Sequence, residues 1–170
     1  MKLIILTGAS GSGKSSIARA ISKRSENITC LSFDSIGVPP AEEMIAQYGS
    51  GEAWQKAMTQ EWLKRIKEKY QSDKFVLFEG QSRISFIQSA LKVNGIDGAT
   101  VVLVDCNDEV RKRRLDDLRK QPDLANSQMM KWAQFLRDEA HAAKIKILET
   151  GDESVSRSVE KILKIFGAGG

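Results

Sequence analysis

Apolar residues follow two rhythms along this chain. Short, nearly continuous apolar runs recur at residues 2–6 (KLIIL), 28–33 (ITCLSF), 75–78 (FVLF), 99–104 (ATVVLV) and 144–148 (KIKIL). They are too short for buried helices and read as strands. The intervening stretches repeat apolar residues at helical spacing, predicting helices over residues 14–23, 41–48, 52–70, 82–93, 108–120, 127–143 and 152–166. The stripe is clearest in residues 52–70, where Trp54, Ala57, Met58, Trp62, Leu63 and Ile66 share one face. Val38-Pro39-Pro40 breaks the chain, Gly49-Ser50-Gly51 turns it, and Gln121-Pro122-Asp123 interrupts the charged helical stretch. Ser82 and Asp152 are the expected N-caps of their helices. The tail GAGG, residues 167–170, is expected to fray.

Strands that are apolar on both faces and alternate with helices imply a parallel sheet covered on both sides. The expected fold is α/β, a three-layer sandwich, in a single domain over residues 1–170. Right-handed crossovers bring the carboxyl ends of the strands to one edge, where ligands of such sheets bind. The residues following each run are therefore the candidates for chemistry.

After the first run stands GASGSGKS, which fits G-x-x-x-x-G-K-[ST] and leads into a helix. Glycines let backbone N–H groups face phosphate oxygens, and the helix adds its positive end. The expected cradle for a nucleoside triphosphate, ATP, is Gly8, Ala9, Ser10, Gly11, Ser12, Gly13, Lys14, Ser15 and Ser16. Lys14 bridges the outer phosphates and Ser15 ligates Mg²⁺ in this reading.

Asp34 follows the second run, where a carboxylate can orient or deprotonate an acceptor hydroxyl, hold a magnesium-bound water, or close a local turn. Glu79-Gly80-Gln81-Ser82-Arg83 follows the third. Glu79 is expected to act on the metal, Gly80 to admit a ligand closely, and Arg83 to fork onto an anion. After the fourth run come Asp105-Cys106-Asn107 and a basic cluster in which Arg111 and Arg114 share a helix face. Arg111 is expected at the nucleotide and Arg114 over the transferring phosphoryl group, with Arg119 near the proline break. Glu149-Thr150-Gly151 follows the fifth run, placing Thr150 beside the nucleotide base. Arg137 is a further candidate for an anionic acceptor. Trp132, Phe135 and Leu136 read as core.

Composition changes little. The 170 residues are 41% hydrophobic and 28% charged, with net charge +4. That suits an anionic ligand and argues against nucleic acid as the main partner, since no basic stripe is interleaved with aromatics. Two distant cysteines, Cys30 and Cys106, and one histidine, His141, form neither a disulfide framework nor a zinc motif. The opening apolar run is too short for a secretory leader, and no stretch approaches the ~18 apolar residues of a membrane span. The expected compartment is cytoplasmic.

The loop, the Glu79–Arg83 segment and the acid in Phe33-Asp34-Ser35 together resemble P-loop kinases of the nucleoside-monophosphate-kinase and shikimate-kinase type. Glu79-Gly80-Gln81-Ser82-Arg83 is similar to the Asp-Gly-Phe-Pro-Arg of adenylate kinases, with glutamate for aspartate and no proline. The glycine pair of shikimate kinases after the third strand is absent. The resemblance implies a P-loop NTPase fold with strand order 2-3-1-4-5. It implies a lid-like segment over residues 108–127 and a helical acceptor-side segment over residues 38–72. It also implies ATP- and Mg²⁺-dependent phosphoryl transfer to a small-molecule hydroxyl or a nucleotide. A regulatory NTP-binding module, or slow ATPase, and a polynucleotide 5′-hydroxyl kinase are the other functions compatible with the loop.

Overall fold

The computed structural model describes residues 1–151 and 153–167. The Asp152 cap and residues 168–170 of the expected frayed tail lie outside the described residues.

Five strands, β1 (Lys2–Thr7), β2 (Ile28–Ser32), β3 (Phe75–Gly80), β4 (Thr100–Asp105) and β5 (Lys146–Glu149), form one sheet in the order β2-β3-β1-β4-β5. Every pairing is parallel. The helices are α1 (Lys14–Arg24), α2 (Ala41–Tyr48), α3 (Gly51–Tyr70), α4 (Ile84–Val93), α5 (Asp108–Arg113), α6 (Ser127–Ala142) and α7 (Val155–Phe166).

Alternation along the strands supplies both faces of the sheet. Ile4, Leu6, Leu77, Val102, Val104 and Leu148 pack against Ile17 and Ile21 of α1 and Val159 and Ile162 of α7. Leu3, Ile5, Val76 and Phe78 pack the other way, against Trp54, Trp62, Leu63 and Ile66 of α3 and Ile87 of α4. Leu103 meets Ala133, Leu136 and Ala140 of α6. The sandwich therefore follows from strands whose two faces are both apolar. Leu136 is core as expected, but Trp132 is half-buried and Phe135 is 36% exposed.

Several boundaries differ from the sequence pattern, each for a tertiary reason. The predicted helix over residues 108–120 ends as α5 at Arg113, and Arg114–Leu118 forms a π-helical turn closed by Arg119 N–H on the Arg114 carbonyl. Leu115 is fully buried there, and the Arg114 guanidinium is drawn toward β5. α7 starts at Val155, capped by Ser154, whose hydroxyl accepts from Arg157 N–H. α4 starts after Arg83 rather than at Ser82. Its cap comes from elsewhere: Glu139 accepts from Ile84 N–H (2.8 Å) and from the Ser85 hydroxyl. Ser82 instead meets Thr59 of α3 at 2.7 Å. α6 stops at a left-handed Lys144 (φ 54°), a terminus usually made by glycine. β5 consequently begins at Lys146.

Candidate active site

The phosphate loop lies between β1 and α1. Gly13 caps α1 in a left-handed conformation (φ 99°) that a β-carbon would strain. Three consecutive loop carbonyls are held by side chains from later in the chain. Arg111 donates to the Ser10 carbonyl (2.9 Å), and Arg114 donates to those of Gly11 (3.2 Å) and Ser12 (3.3 Å). The Thr150 hydroxyl lies 2.6 Å from the Ser12 carbonyl and accepts from Arg114 at 2.9 Å. The Ser12 N–H bonds the Ala9 carbonyl (3.2 Å), and the N-terminus of α1 adds positive potential for an anion at the loop.

This arrangement corrects the role expected for Arg111. Its side chain is fully enclosed, paired with Asp105 and bonded to the Cys106 carbonyl, so it braces the loop from behind and cannot reach a nucleotide. Arg114 stands at the cleft wall with its fork taken by loop carbonyls and Thr150. Thr150 is likewise buried, a strut between the loop and the Asp105 carbonyl. The arginine of this segment that remains exposed in the cleft is Arg119.

On the concave side Lys14 is 8% exposed. Burial pushes its ammonium pKa down, opposed by the nearby Glu79 and Asp34 carboxylates, while Arg119 and Arg111 push it lower still. A buried lysine with a depressed pKa suits an anionic partner that restores its charge. Ser15 donates to Glu79 Oε2 at 3.0 Å, and Ser32 at the end of β2 donates to Glu79 Oε1 at 2.8 Å. Hydroxyl and carboxylate oxygens of this kind suit a hard divalent cation that keeps most of its water, as magnesium does. Among the described residues no cluster of three or more His, Cys, Asp or Glu forms a fuller metal cage. Asp34 is exposed in the 3-10 turn Phe33–Ile36 directly after β2.

Two expected acceptor residues are withdrawn. A β-carbon on Gly80 would lie 2.4 Å from Phe33 Cβ, so the close approach that glycine permits is already filled by protein. Arg137 pairs with Asp105 and Asp108 and donates to the Cys106 carbonyl (3.2 Å), beside β4. Arg83 does line a cleft, but its guanidinium donates to Glu52 at 2.7 Å.

Two clefts flank the loop. One, about 760 Å³, runs from Gly13, Lys14 and Ser15 past Arg114 and Arg119 to Thr150 and the start of α7. The other, about 580 Å³, lies between the start of α3, Gln81, Arg83 and the Met129–Phe135 face of α6. The Ser10 hydroxyl reaches Gln81 Oε1 at 3.3 Å, linking the loop to a residue that lines the second cleft. Ser32, Gln81 and Trp132 carry no expected site role in the sequence pattern, yet each stands beside the loop or a cleft. Ser32 ends a strand and so had a positional signal, whereas Trp132 sits on a stripe that reads as core.

The strand order β2-β3-β1-β4-β5 and the glycine loop between β1 and α1 together define the α/β P-loop fold. A family model described as an AAA domain matches residues 4–147, and the chain belongs to that family. Among solved structures, the chain is similar to a gluconokinase from Sinorhizobium meliloti 1021 (TM-score 0.72, 16% identity, 98% of this chain and 91% of that one). It is also similar to shikimate kinases from Acinetobacter baumannii (0.67, 17%, 99% and 94%) and Aquifex aeolicus vf5 (0.63, 24%, 95% and 94%). At such identities the likeness is one of fold. No curated protein matches the sequence. No helix among the described residues is long and apolar enough to cross a membrane.

Proposed function

We propose that the protein transfers the γ-phosphoryl group of ATP to a hydroxyl of a small-molecule acceptor. The observation that carries this reading is the grouping of Lys14, Ser15, Asp34 and Glu79 beside one open cleft, with a second cleft linked to the loop through the Ser10–Gln81 hydrogen bond. A protein that only holds or hydrolyses a nucleotide needs the first cleft and not the second.

In this reading the loop N–H groups, Lys14 and Ser16 hold the ATP phosphates. Ser15 and Glu79 would hold a magnesium ion, which when bound neutralises phosphate charge. Asp34 orients the acceptor hydroxyl and receives its proton as the new oxygen–phosphorus bond forms and the bond to ADP breaks. Arg119, exposed in the nucleotide cleft, takes the charge-stabilising role that Arg114 is too committed to perform. Arg114 and Thr150 shape the wall along the nucleotide, and the segments 108–127 and 38–72 enclose donor and acceptor. The neighbours named gluconokinase and shikimate kinase support small-molecule transfer as the reaction class. A cytoplasmic setting, where ATP and Mg²⁺ are available, fits it.

The test is a panel of metabolites, nucleotides and a 5′-hydroxyl oligonucleotide with ATP and Mg²⁺, scored by phosphorylated product. Lys14→Ala should abolish product while circular dichroism stays native. Undiminished product in that variant would overturn the assignment. ATP loss indifferent to every acceptor would instead mark a regulatory ATPase, and product on the oligonucleotide a polynucleotide kinase.

A further inference from the structure

The second cleft carries an unusual charge arrangement. Its walls hold three charged side chains, Glu52, Arg83 and Lys131. Two of them cancel, because Arg83 Nη2 donates to Glu52 Oε2 at 2.7 Å. The Arg83 guanidinium also lies over Phe135 (4.8 Å), Phe86 (5.4 Å) and Trp132 (5.9 Å). Its guanidinium thus stacks on aromatic rings and spends Nη2 on Glu52 before any ligand arrives. An arginine that captures a phosphate or carboxylate does so with a free fork.

The rest of the wall is mixed, with the amides Gln55, Gln81, Asn126 and Gln128 beside Leu124, Met129 and an aromatic pair. Trp132 and Phe135, one helical turn apart on α6, stack with centroids 5.5 Å apart and planes 12° from parallel. The Trp132 indole N–H is buried with no partner among the described residues. Gln81 and Gln128 stand alongside, and Glu52 is about half exposed. An aromatic face takes the C–H face of a ring, and amides and a carboxylate take its hydroxyls. A phosphate dianion in the same space would meet the Glu52 carboxylate with Lys131 as the uncommitted cation.

We infer that the acceptor is an uncharged, polyhydroxylated ring compound, a free sugar or a nucleoside, and that Glu52 enforces this choice by occupying Arg83. The inference rests on the phosphotransfer reading above and narrows it, setting aside nucleoside monophosphates and sugar acids. Glu52 then acts as a specificity determinant through Arg83 and takes no part in the chemistry.

The experiment uses matched pairs: a nucleoside with its monophosphate, and an aldose with its uronic acid, the two pairs separating the nucleoside from the sugar source. Wild-type protein should favour the neutral member of a pair by about tenfold in kcat/KM, the scale of a like-charge conflict at a half-exposed carboxylate. Glu52→Gln frees Arg83 and should lower KM for the charged member by about tenfold while KM for ATP stays put. Phe135→Ala should raise acceptor KM with little change in kcat. Tryptophan fluorescence, with Trp132→Phe as control, reads the same preferences as binding. A wild type that prefers the monophosphate or the uronic acid overturns the inference, as does a Glu52→Gln variant whose preference is unchanged. If neither member is phosphorylated, the fluorescence titration decides between charged and neutral ligands, and preferential binding of the charged member overturns the inference independently of the phosphotransfer reading.

Discussion

Ser15 at the start of α1 and Glu79 near the end of β3 are joined by a 3.0 Å hydrogen bond across 64 residues. Ser32 from a third element bonds the other carboxylate oxygen. The carboxylate is therefore aimed before any metal arrives, since its two oxygens are held by hydroxyls on either side.

Glu79→Gln tests this pair. The amide retains hydrogen bonds to both serines, so the fold should persist, but the charge is lost. The magnesium concentration giving half-maximal ATP turnover should rise by about 10- to 100-fold, the usual scale for an orienting group at a metal site. A midpoint within twofold of wild type would remove Glu79 from the metal's surroundings.

The two cleft arginines should separate cleanly. Arg114→Ala strips hydrogen bonds from the Gly11 and Ser12 carbonyls and from Thr150, and should cost about 1–3 kcal/mol of stability in urea unfolding. Arg119→Ala touches none of these and should unfold like wild type, while single-turnover phosphoryl transfer slows by about a thousandfold if it stabilises developing charge. Equal transfer rates in Arg119→Ala and wild type would return that role to another residue.

Asp105 receives both Arg111 and Arg137. Asp105→Ala leaves the Arg111 guanidinium fully enclosed without its counter-charge, which should cost about 3–5 kcal/mol. ATP affinity should fall as well, because Arg111 also holds the Ser10 carbonyl. A urea midpoint matching wild type would show that the enclosed arginine does not depend on this carboxylate.

Both cysteines should be inert. Burial pushes the Cys30 thiol from 9.0 up to about 11 and also raises Cys106. At pH 8, two units fewer ionised means about a hundredfold less thiolate at Cys30, so iodoacetamide should label it about a hundredfold more slowly in the folded chain than in urea. The sign for stability follows: the contribution of the neutral thiol is present in full below its ordinary value and is lost as pH rises through about 11. Equal labelling rates in the two states would contradict the burial.

Much of this site was legible because strand ends in a parallel sheet share an edge. Asp34, Glu79 and Thr150 stand just after apolar runs, a position readable without their partners. What each one touches was not legible. Arg111 and Arg114 share a helix face, yet their roles are set by carbonyls about a hundred residues earlier in the chain. The π-helical turn at Arg114–Leu118 carries no local signal, because tertiary bonds to Thr150 override a good helical pattern there. The Trp132–Phe135 stripe has the spacing of a core face. Only the position of α6 at the rim shows that it borders a cleft.

Phe33 fits over Gly80, held by Trp62, whose indole donates to the Phe33 carbonyl at 3.1 Å, and by the edge of Trp54 5.8 Å away. The next residue is Asp34. The missing side chain at position 80 therefore works as a depth gauge: it determines how far the β2 turn can sink toward β3, and with it the reach of the aspartate. A methyl group at that position would press on Phe33 and lift Asp34 with it, so that in the proposed phosphotransfer a change in the packing beneath would be felt as a change in rate.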